Sequence, residues 1–431
     1  MRNRIIIGCM LLGALSVGAQ EKPITVADYK QKVLEYSRQI KQSAEERIAM
    51  QQAVKAAKTG FFPAVDFSGS YQYRINKYDL AMGDGIPGIE MDHNTYSLGA
   101  TVSQPIYAGG QIYNNYKAAQ VQGQIASEAE ELTTDNVIYA ADLNYWSAAA
   151  RKGMYDVMCQ YVDIVQTLAN VLTTRFEDGQ ISKTDLLQVQ SRLKEAELNK
   201  SSAYKDYQIA LQNLNILMGL PPMTPVDIAD SITKVQPLPL HIGEEAALEN
   251  RPDFMISKLN IEYQKRQINL SKAKYNPTLA IGFQGTWGTP MLNVKGSDQL
   301  WTPAVFASLK IPLFRWGARF KEVNSQKAIL RSKEYAMDNT RDQISQEVAN
   351  SWTSLTENTK QINMAEEACQ IAEENLDLNT FSYNEGKLPI LDVLSAQLSW
   401  IQSYSSLIQT WYQQKASLAQ YNKAVGLRRL Q

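Results

Sequence analysis

The stretch Phe381-Ser-Tyr-Asn-Glu-Gly-Lys-Leu-Pro-Ile-Leu-Asp-Val-Leu-Ser-Ala-Gln397 decides the fold, because the chain carries it twice. Residues 174–190 read Thr-Arg-Phe-Glu-Asp-Gly-Gln-Ile-Ser-Lys-Thr-Asp-Leu-Leu-Gln-Val-Gln. A shift of 207 positions lays Phe176 on Tyr383, Gly179 on Gly386, Ile181 on Leu388, Asp185 on Asp392, Leu187 on Leu394 and Gln190 on Gln397. Each copy reads as a helix end, a glycine turn and a new helix start. Gly179 and Gly386 suit the left-handed position that closes a helix. Ser182 in the first copy and Pro389 in the second open the helix that follows.

The same shift recurs along the chain. Gln104-Pro-Ile-Tyr-Ala-Gly-Gly110 precedes Ile311-Pro-Leu-Phe-Arg-Trp-Gly317 by 207 residues, as Met218-Gly-Leu220 precedes Val425-Gly-Leu427. Phe62-Pro-Ala-Val65 matches Asn276-Pro-Thr-Leu279 at a shift of 214. Four pieces in one order at nearly one spacing define a duplicated chain. The expected organisation is a signal peptide over 1–19, a first repeat over 20–220, a linker over 221–243 and a second repeat over 244–431.

Arg2 and Arg4 followed by an apolar run from Ile5 to Val17 and the small residues Val17-Gly-Ala19 have the layout of a secretory signal, with the mature chain expected to begin at Gln20. The run is too short for a bilayer core of about 30 Å. Cys9 lies too early for lipid acylation. Charge is balanced, at 43 basic against 44 acidic residues. No later run of about 18 apolar residues offers a membrane helix. Cys159 and Cys369 read as small buried helix residues rather than a disulfide framework.

The periodicity alternates between helix and strand. Residues 25–60 place Val26, Tyr29, Val33, Tyr36 and Ile40 on one helical stripe. From Ala64 to Arg74 the period is two, with Val65, Phe67, Gly69, Tyr71 and Tyr73 against Asp66, Ser68, Ser70, Gln72 and Arg74. After a loop over 82–94, Tyr96, Leu98, Ala100 and Val102 alternate with Ser97, Thr101 and Ser103. This predicts a hairpin with one apolar and one polar face. Helices are expected over about 110–175 and 184–218, the first roughly 100 Å long at 1.5 Å per residue. Met218 to Ile242 contains five prolines and links the halves. The second half repeats the plan: helix over 244–275, strands around Leu279–Trp287 and Trp301–Ile311, and helices over about 317–381 and 390–425.

Four strands cannot close a useful barrel, and lipid tolerates no open sheet edge. Several chains must therefore share one barrel. Tyr71, Tyr73, Tyr96, Tyr107, Trp287, Trp301, Phe314 and Trp316 sit near strand ends, as in the aromatic girdles of outer-membrane barrels. A soluble sandwich edge is the alternative, but it has no use for helices of such length. Enzyme chemistry finds little support: the histidines are His93 in a loop and His241 in the linker, and the chain has no phosphate loop, metal spacing or nucleophile elbow.

The duplicated strand-hairpin and long-helix plan, the start Ala247-Leu-Glu-Asn-Arg-Pro-Asp-Phe254 and the two glycine tips together resemble the TolC family of outer-membrane efflux and secretion ducts, over essentially the whole mature chain. The resemblance implies a mostly α fold with a membrane β-barrel. As a homotrimer it would have twelve strands in outer-membrane lipid and twelve helices in the periplasm. It further implies a periplasmic adaptor gripping the tips at Gly179, Ile181, Gly386 and Leu388, and an inner-membrane pump of the RND or ABC type. No cofactor, no metal and no nucleic acid is expected.

From Asp392, steps of three and four give the polar stripe Ser395, Ser399, Gln402, Ser406, Gln409 and Gln413, beside the mostly apolar Leu391, Leu394, Leu398, Ile401, Ile408 and Trp411. The polar stripe is either a solvated outer face or a lumen lining. The resemblance places Asp392 at the periplasmic gate, where three carboxylates would select cations. It puts Ser395 where a second acidic ring often stands. It also matches Tyr383 and Asp185 to a closing hydrogen bond, and Thr184 to a link whose arginine is replaced by Leu388. Asp84, Glu90, Asp92, His93 and Asp298 fall in loops expected outside the cell, where solvated side chains or a calcium or phage site both fit. Small-molecule efflux is the expected function, with protein secretion or a periplasmic coiled-coil scaffold as alternatives.

Overall fold

The computed structural model describes residues 23–76, 79–80, 89–290, 294–295 and 297–430; the expected signal peptide and Asp84 lie outside these residues. The elements run α1 (Val26–Tyr36), α2 (Arg38–Thr59), β1 (Ala64–Tyr73), β2 (Asp79–Leu80), β3 (Ile89–Glu90), β4 (Asn94–Tyr107), α3 (Gln111–Glu177) and α4 (Lys183–Met218). They continue with α5 (Glu244–Asn250), α6 (Pro252–Ala273), β5 (Thr278–Gly288), β6 (Leu300–Lys310), α7 (Ala318–Asn384), α8 (Ile390–Ala424) and α9 (Leu427–Leu430). The element lengths recur between the halves: α3 and α7 each have 67 residues, and α4 and α8 have 36 and 35.

Two expected helices are broken. The one expected over 25–60 stops at Ser37, where ψ swings to 116° while the Ser37 N–H still donates to the Val33 carbonyl oxygen at 2.8 Å. The one expected over 244–275 breaks at Arg251, the residue before Pro252. Proline disfavours the helical conformation of its predecessor, and it is itself tolerated at a helix start.

The chain forms two compact units. The first comprises the residues through Ser37, Val137–Pro239 and Thr353–Gln420. In it the linker is stitched to the helices by buried polar contacts. Ile24 pairs with Ile228 as an isolated parallel bridge. The Tyr145 hydroxyl reaches both the Ile24 carbonyl and an Asp230 carboxylate oxygen at 2.8 Å, and Asp230 also accepts from the Val26 N–H at 2.7 Å. The buried Lys415 ammonium lies 4.5 Å from the centre of the Trp146 ring and donates to the Lys234 carbonyl. Burial depresses the Lys415 pKa, opposed by the Asp230 carboxylate.

The second unit comprises Arg38–Asn136, Leu240–Trp352 and the residues from Tyr421 on. It contains the four-stranded sheet, in order β1-β4-β5-β6, all antiparallel. Arg251 is nearly buried here, bridging Asp253 and Glu347 and donating to the Ala424 carbonyl. Burial disfavours its charge, but these acidic partners outweigh burial and hold it protonated. The residues of the Arg-Pro-Asp motif are thus explained: arginine and aspartate pair while proline starts α6.

Candidate functional site

The sheet register carries the alternation seen in the sequence across all four strands. Val65 faces Val102, which faces Phe283, which faces Val305; Phe67, Ala100, Gly285 and Pro303 form the next such row. One position along, Asp66, Thr101, Gln284 and Ala304 form a row on the opposite face. The apolar rows are uncovered: Phe67 is 75% and Val305 83% exposed. An apolar face of this extent marks contact with lipid or another protein. The outer strands β1 and β6 each pair on one side only, which leaves two open edges. β4 runs further than the alternation indicates, to Tyr107, with a register shift between Pro105 and Tyr107 that accommodates a residue lacking an N–H.

The two glycine tips lie in the first unit and share one backbone design. At the first, Gly179 has φ 71°, its N–H donates to the Phe176 carbonyl at 2.9 Å, and the Gln180 N–H reaches back to Arg175 at 2.8 Å. At the second, Gly386 has φ 73°, its N–H donates to Tyr383 at 2.9 Å, and the Lys387 N–H reaches Ser382 at 2.9 Å. This pair of bonds is the Schellman closure of a helix. No atom outside the immediate turn approaches within 4 Å of where a Cβ would stand on either glycine, so the requirement there is φ rather than space.

The side chains around the two turns differ. Ser182 caps α4: its hydroxyl accepts from the Asp185 N–H at 3.2 Å and donates to the Asp185 carboxylate at 2.9 Å. Pro389, at the same place before α8, has no hydroxyl. Asp392 is exposed, and its carboxylate has no hydrogen bond or ion pair among the described residues. Ser395, Ser399, Gln402, Ser406, Gln409 and Gln413 are exposed with it, so the polar stripe is one continuous solvent-facing strip. Of the neighbouring apolar stripe, Leu394, Ile401, Ile408 and Trp411 are buried, while Leu391 and Leu398 remain exposed.

Tyr383 is buried, and the Arg175 guanidinium lies over its ring at 5.2 Å from the centre. Arg175 also donates to the Asn384 side-chain oxygen at 3.4 Å. No hydrogen bond joins Tyr383 to Asp185 within this chain. Thr184 is exposed, and Ile181 and Leu388 are half-buried. Arg175 is the functional candidate that sequence reasoning missed. Its repeat partner is Ser382, so the duplication gives no hint of it; an arginine one position before the first tip's aromatic residue was the available signal.

In the outer loops, His93 Nδ1 lies 2.7 Å from the Arg74 carbonyl oxygen and its ring stacks on Tyr73 at 5.6 Å. The Asn94 backbone N–H donates to Asp92 at 3.0 Å and holds its carboxyl below the usual range. Among the described residues no group of three or more His, Cys, Asp or Glu side chains is poised to hold a metal, and no helix is long and apolar enough to cross a membrane.

A four-stranded sheet with a lipid-ready face, joined to helical hairpins of this length, defines a class: the outer-membrane export channels. The family model described as outer membrane efflux protein matches residues 30–220 and 245–427, and the chain belongs to that family. It is 21% identical to the outer membrane protein TolC of Escherichia coli, over 98% of this chain and 85% of that protein. It is 20% identical to the proteases secretion protein PrtF of Dickeya chrysanthemi, over 96% and 90%. Its fold superposes on the Campylobacter jejuni CmeC outer membrane channel with a TM-score of 0.80 at 17% identity, covering 99% of this chain and 94% of that one. The protein is an outer-membrane channel component that extends into the periplasm.

Proposed function

We propose that three copies of this chain form the outer-membrane duct of a three-part export system, passing small molecules from an inner-membrane pump and a periplasmic adaptor to the exterior without enzymatic chemistry. The observation that carries this reading is the sheet: a continuous apolar face and two open edges, which lipid does not tolerate unless further copies close the barrel. Twelve strands result from three chains. The tips at Gly179, Ile181, Gly386 and Leu388 form the adaptor surface, and Asp392 with Ser395 lines the entrance. Tyr383, held by Arg175, keeps that entrance closed, with Asp185 and Thr184 on the facing tip.

Arginine at Phe283 or Val305, midway along β5 and β6 on the apolar face, is expected to block assembly, because arginine on the lipid face costs about 2–4 kcal/mol near the midplane. Arginine at Ser68, on the polar face, is expected to be milder. Detergent-extracted trimers in outer-membrane fractions are the readout, and equal tolerance at both faces would refute the barrel. The similarity to a protease-secretion protein over nearly the whole chain supports a second reading, a duct for secreted proteins. Deleting the gene separates the two: accumulation of small dyes with intact protein secretion supports the first, and loss of a secreted protein alone supports the second.

A further inference from the structure

The duplication also places two strand-to-helix junctions 207 residues apart, and only one of them is packed. In the first, Gly109 and Gly110 have φ 64° and 87°. A Cβ on Gly109 would stand 2.9 Å from both the Ala273 carbonyl oxygen and Asn276 Cβ. Asn276 Nδ2 donates to the Gly109 carbonyl at 2.8 Å, and Gln111 Nε2 to that of Ala273 at 3.3 Å. No charged residue occurs from Pro105 to Tyr113. This junction is closed, neutral and satisfied.

In the second junction the residue matching Gly109 is Trp316. Its φ of 47° makes it the one non-glycine residue with positive φ among those described. Such a conformation strains a bulky residue, and strained positions persist where the side chain serves a purpose. Core packing is not that purpose: Trp316 is 86% exposed and Leu313 90%. Phe314 and Phe320 are also exposed, and the Phe314 ring meets Trp316 edge-on at 5.0 Å. Arg315 lies 5.6 Å from the centre of the Tyr275 ring. From Ile311 to Lys321 there are three cations, Arg315, Arg319 and Lys321, and no acid. Glu322, the next acid, is paired with Lys274 at 3.4 Å. None of the three cations has a carboxylate partner among the described residues.

We propose that the junction Ile311–Lys321 is a binding shelf for an anionic phospholipid of the inner leaflet of the outer membrane. Trp316 and Phe314 enter the boundary between acyl chains and headgroups, where indole rings concentrate. Arg315, Arg319 and Lys321 hold the phosphate, as basic residues beside a membrane do. The apolar rows of β6, through Val305 and Leu309, run directly into this shelf, so the lipid contact is continuous with the membrane face. A second copy of the chain fits the shelf less well. The segment leading into its free edge strand, Lys58 to Pro63, offers Lys58, Phe61 and Phe62 but no acid to meet three cations, and the first acid beyond it, Asp66, lies in the polar row of the sheet.

The test uses the purified trimer titrated in detergent with phosphatidylglycerol or phosphatidylcholine and weighed by native mass spectrometry. The wild type is expected to retain phosphatidylglycerol preferentially, up to one per chain. The combined variant Arg315→Gln, Arg319→Gln, Lys321→Gln is expected to lose that preference by about a hundredfold with trimers intact. Undiminished preference in the variant overturns the proposal, as does displacement of the lipid by inorganic phosphate at equal concentration, which would reveal a simple anion patch. A second variant covers the case in which the first does not assemble. Trp316→Gly relieves the backbone strain, and in vesicles of brominated phosphatidylglycerol it is expected to remove a quenched component of the tryptophan emission. If the component it removes is not quenched, the indole does not face lipid, and the shelf is a subunit interface instead.

Discussion

The two helix tips share a backbone and differ in what the side chains do with it. Both turns close on a left-handed glycine with the same pair of hydrogen bonds. At the first tip a serine caps the next helix and engages the acid three positions on, so Asp185 is tied down. At the second tip a proline takes the serine's place, and Asp392, the matching acid, is left free at the head of a polar strip. The aromatic residue differs in the opposite sense: Phe176 is exposed at the first tip, while Tyr383 is buried beneath Arg175 at the second. The turn is the same in both copies, and with proline in the place of serine the second carboxylate is left without a capping partner.

The largest effect is expected where the tips are alike. Gly386→Val forces a β-branched residue into the left-handed region, costing at least about 1–2 kcal/mol locally. Export should be abolished while trimers remain in the outer membrane, and Gly179→Val should do the same. Normal export, measured as dye efflux, would remove the tips from the adaptor surface. The next effect separates the tips. Arg175→Ala deletes a cation over a buried ring, worth about 1 kcal/mol in each chain, and should raise the conductance of reconstituted trimers. Tyr383→Phe keeps the ring and should change conductance far less; an equal rise would assign the closing contact to the hydroxyl. The smallest effect belongs to the cap. Ser182→Ala should lower the stability of the first tip by about 1 kcal/mol, detectable as faster amide exchange in the first turn of α4, with conductance unchanged.

Much of this architecture was legible because its signals are periodic. The alternation of Val65, Phe67 and Tyr71 with Asp66, Ser68 and Ser70 specifies a strand with two chemically distinct faces, and the register bears this out. The glycines at 179 and 386 marked the turns because left-handed backbone selects them. The breaks were less readable. Pro252 announces the one at Arg251, but no proline or glycine lies between Val26 and Thr59 to mark the one at Ser37. There the ring of Tyr36 packs over Gly219, from a distant part of the sequence, which no local pattern encodes. Arg175 escaped for the same reason: its contact with Tyr383 joins two helices remote in sequence, and its repeat partner is a serine. The free state of Asp392 was readable only in part: the polar stripe and Pro389 in the place of Ser182 are both in the sequence, but that the Ser182 hydroxyl engages the Asp185 carboxylate emerges only in three dimensions.

Single-channel recording of the reconstituted trimer, wild type against Asp392→Ala, tests the central claim most directly. The wild type is expected to conduct weakly and prefer cations, as three symmetry-related carboxylates would if they ring a narrow entrance. Asp392→Ala is expected to reduce that preference and the block by multivalent cations together, while Asp185→Ala, at the capped first tip, leaves both in place. Unchanged selectivity in Asp392→Ala would mean that the strip from Asp392 to Gln413 is an outer surface, and the reading of the second tip as the entrance would be wrong.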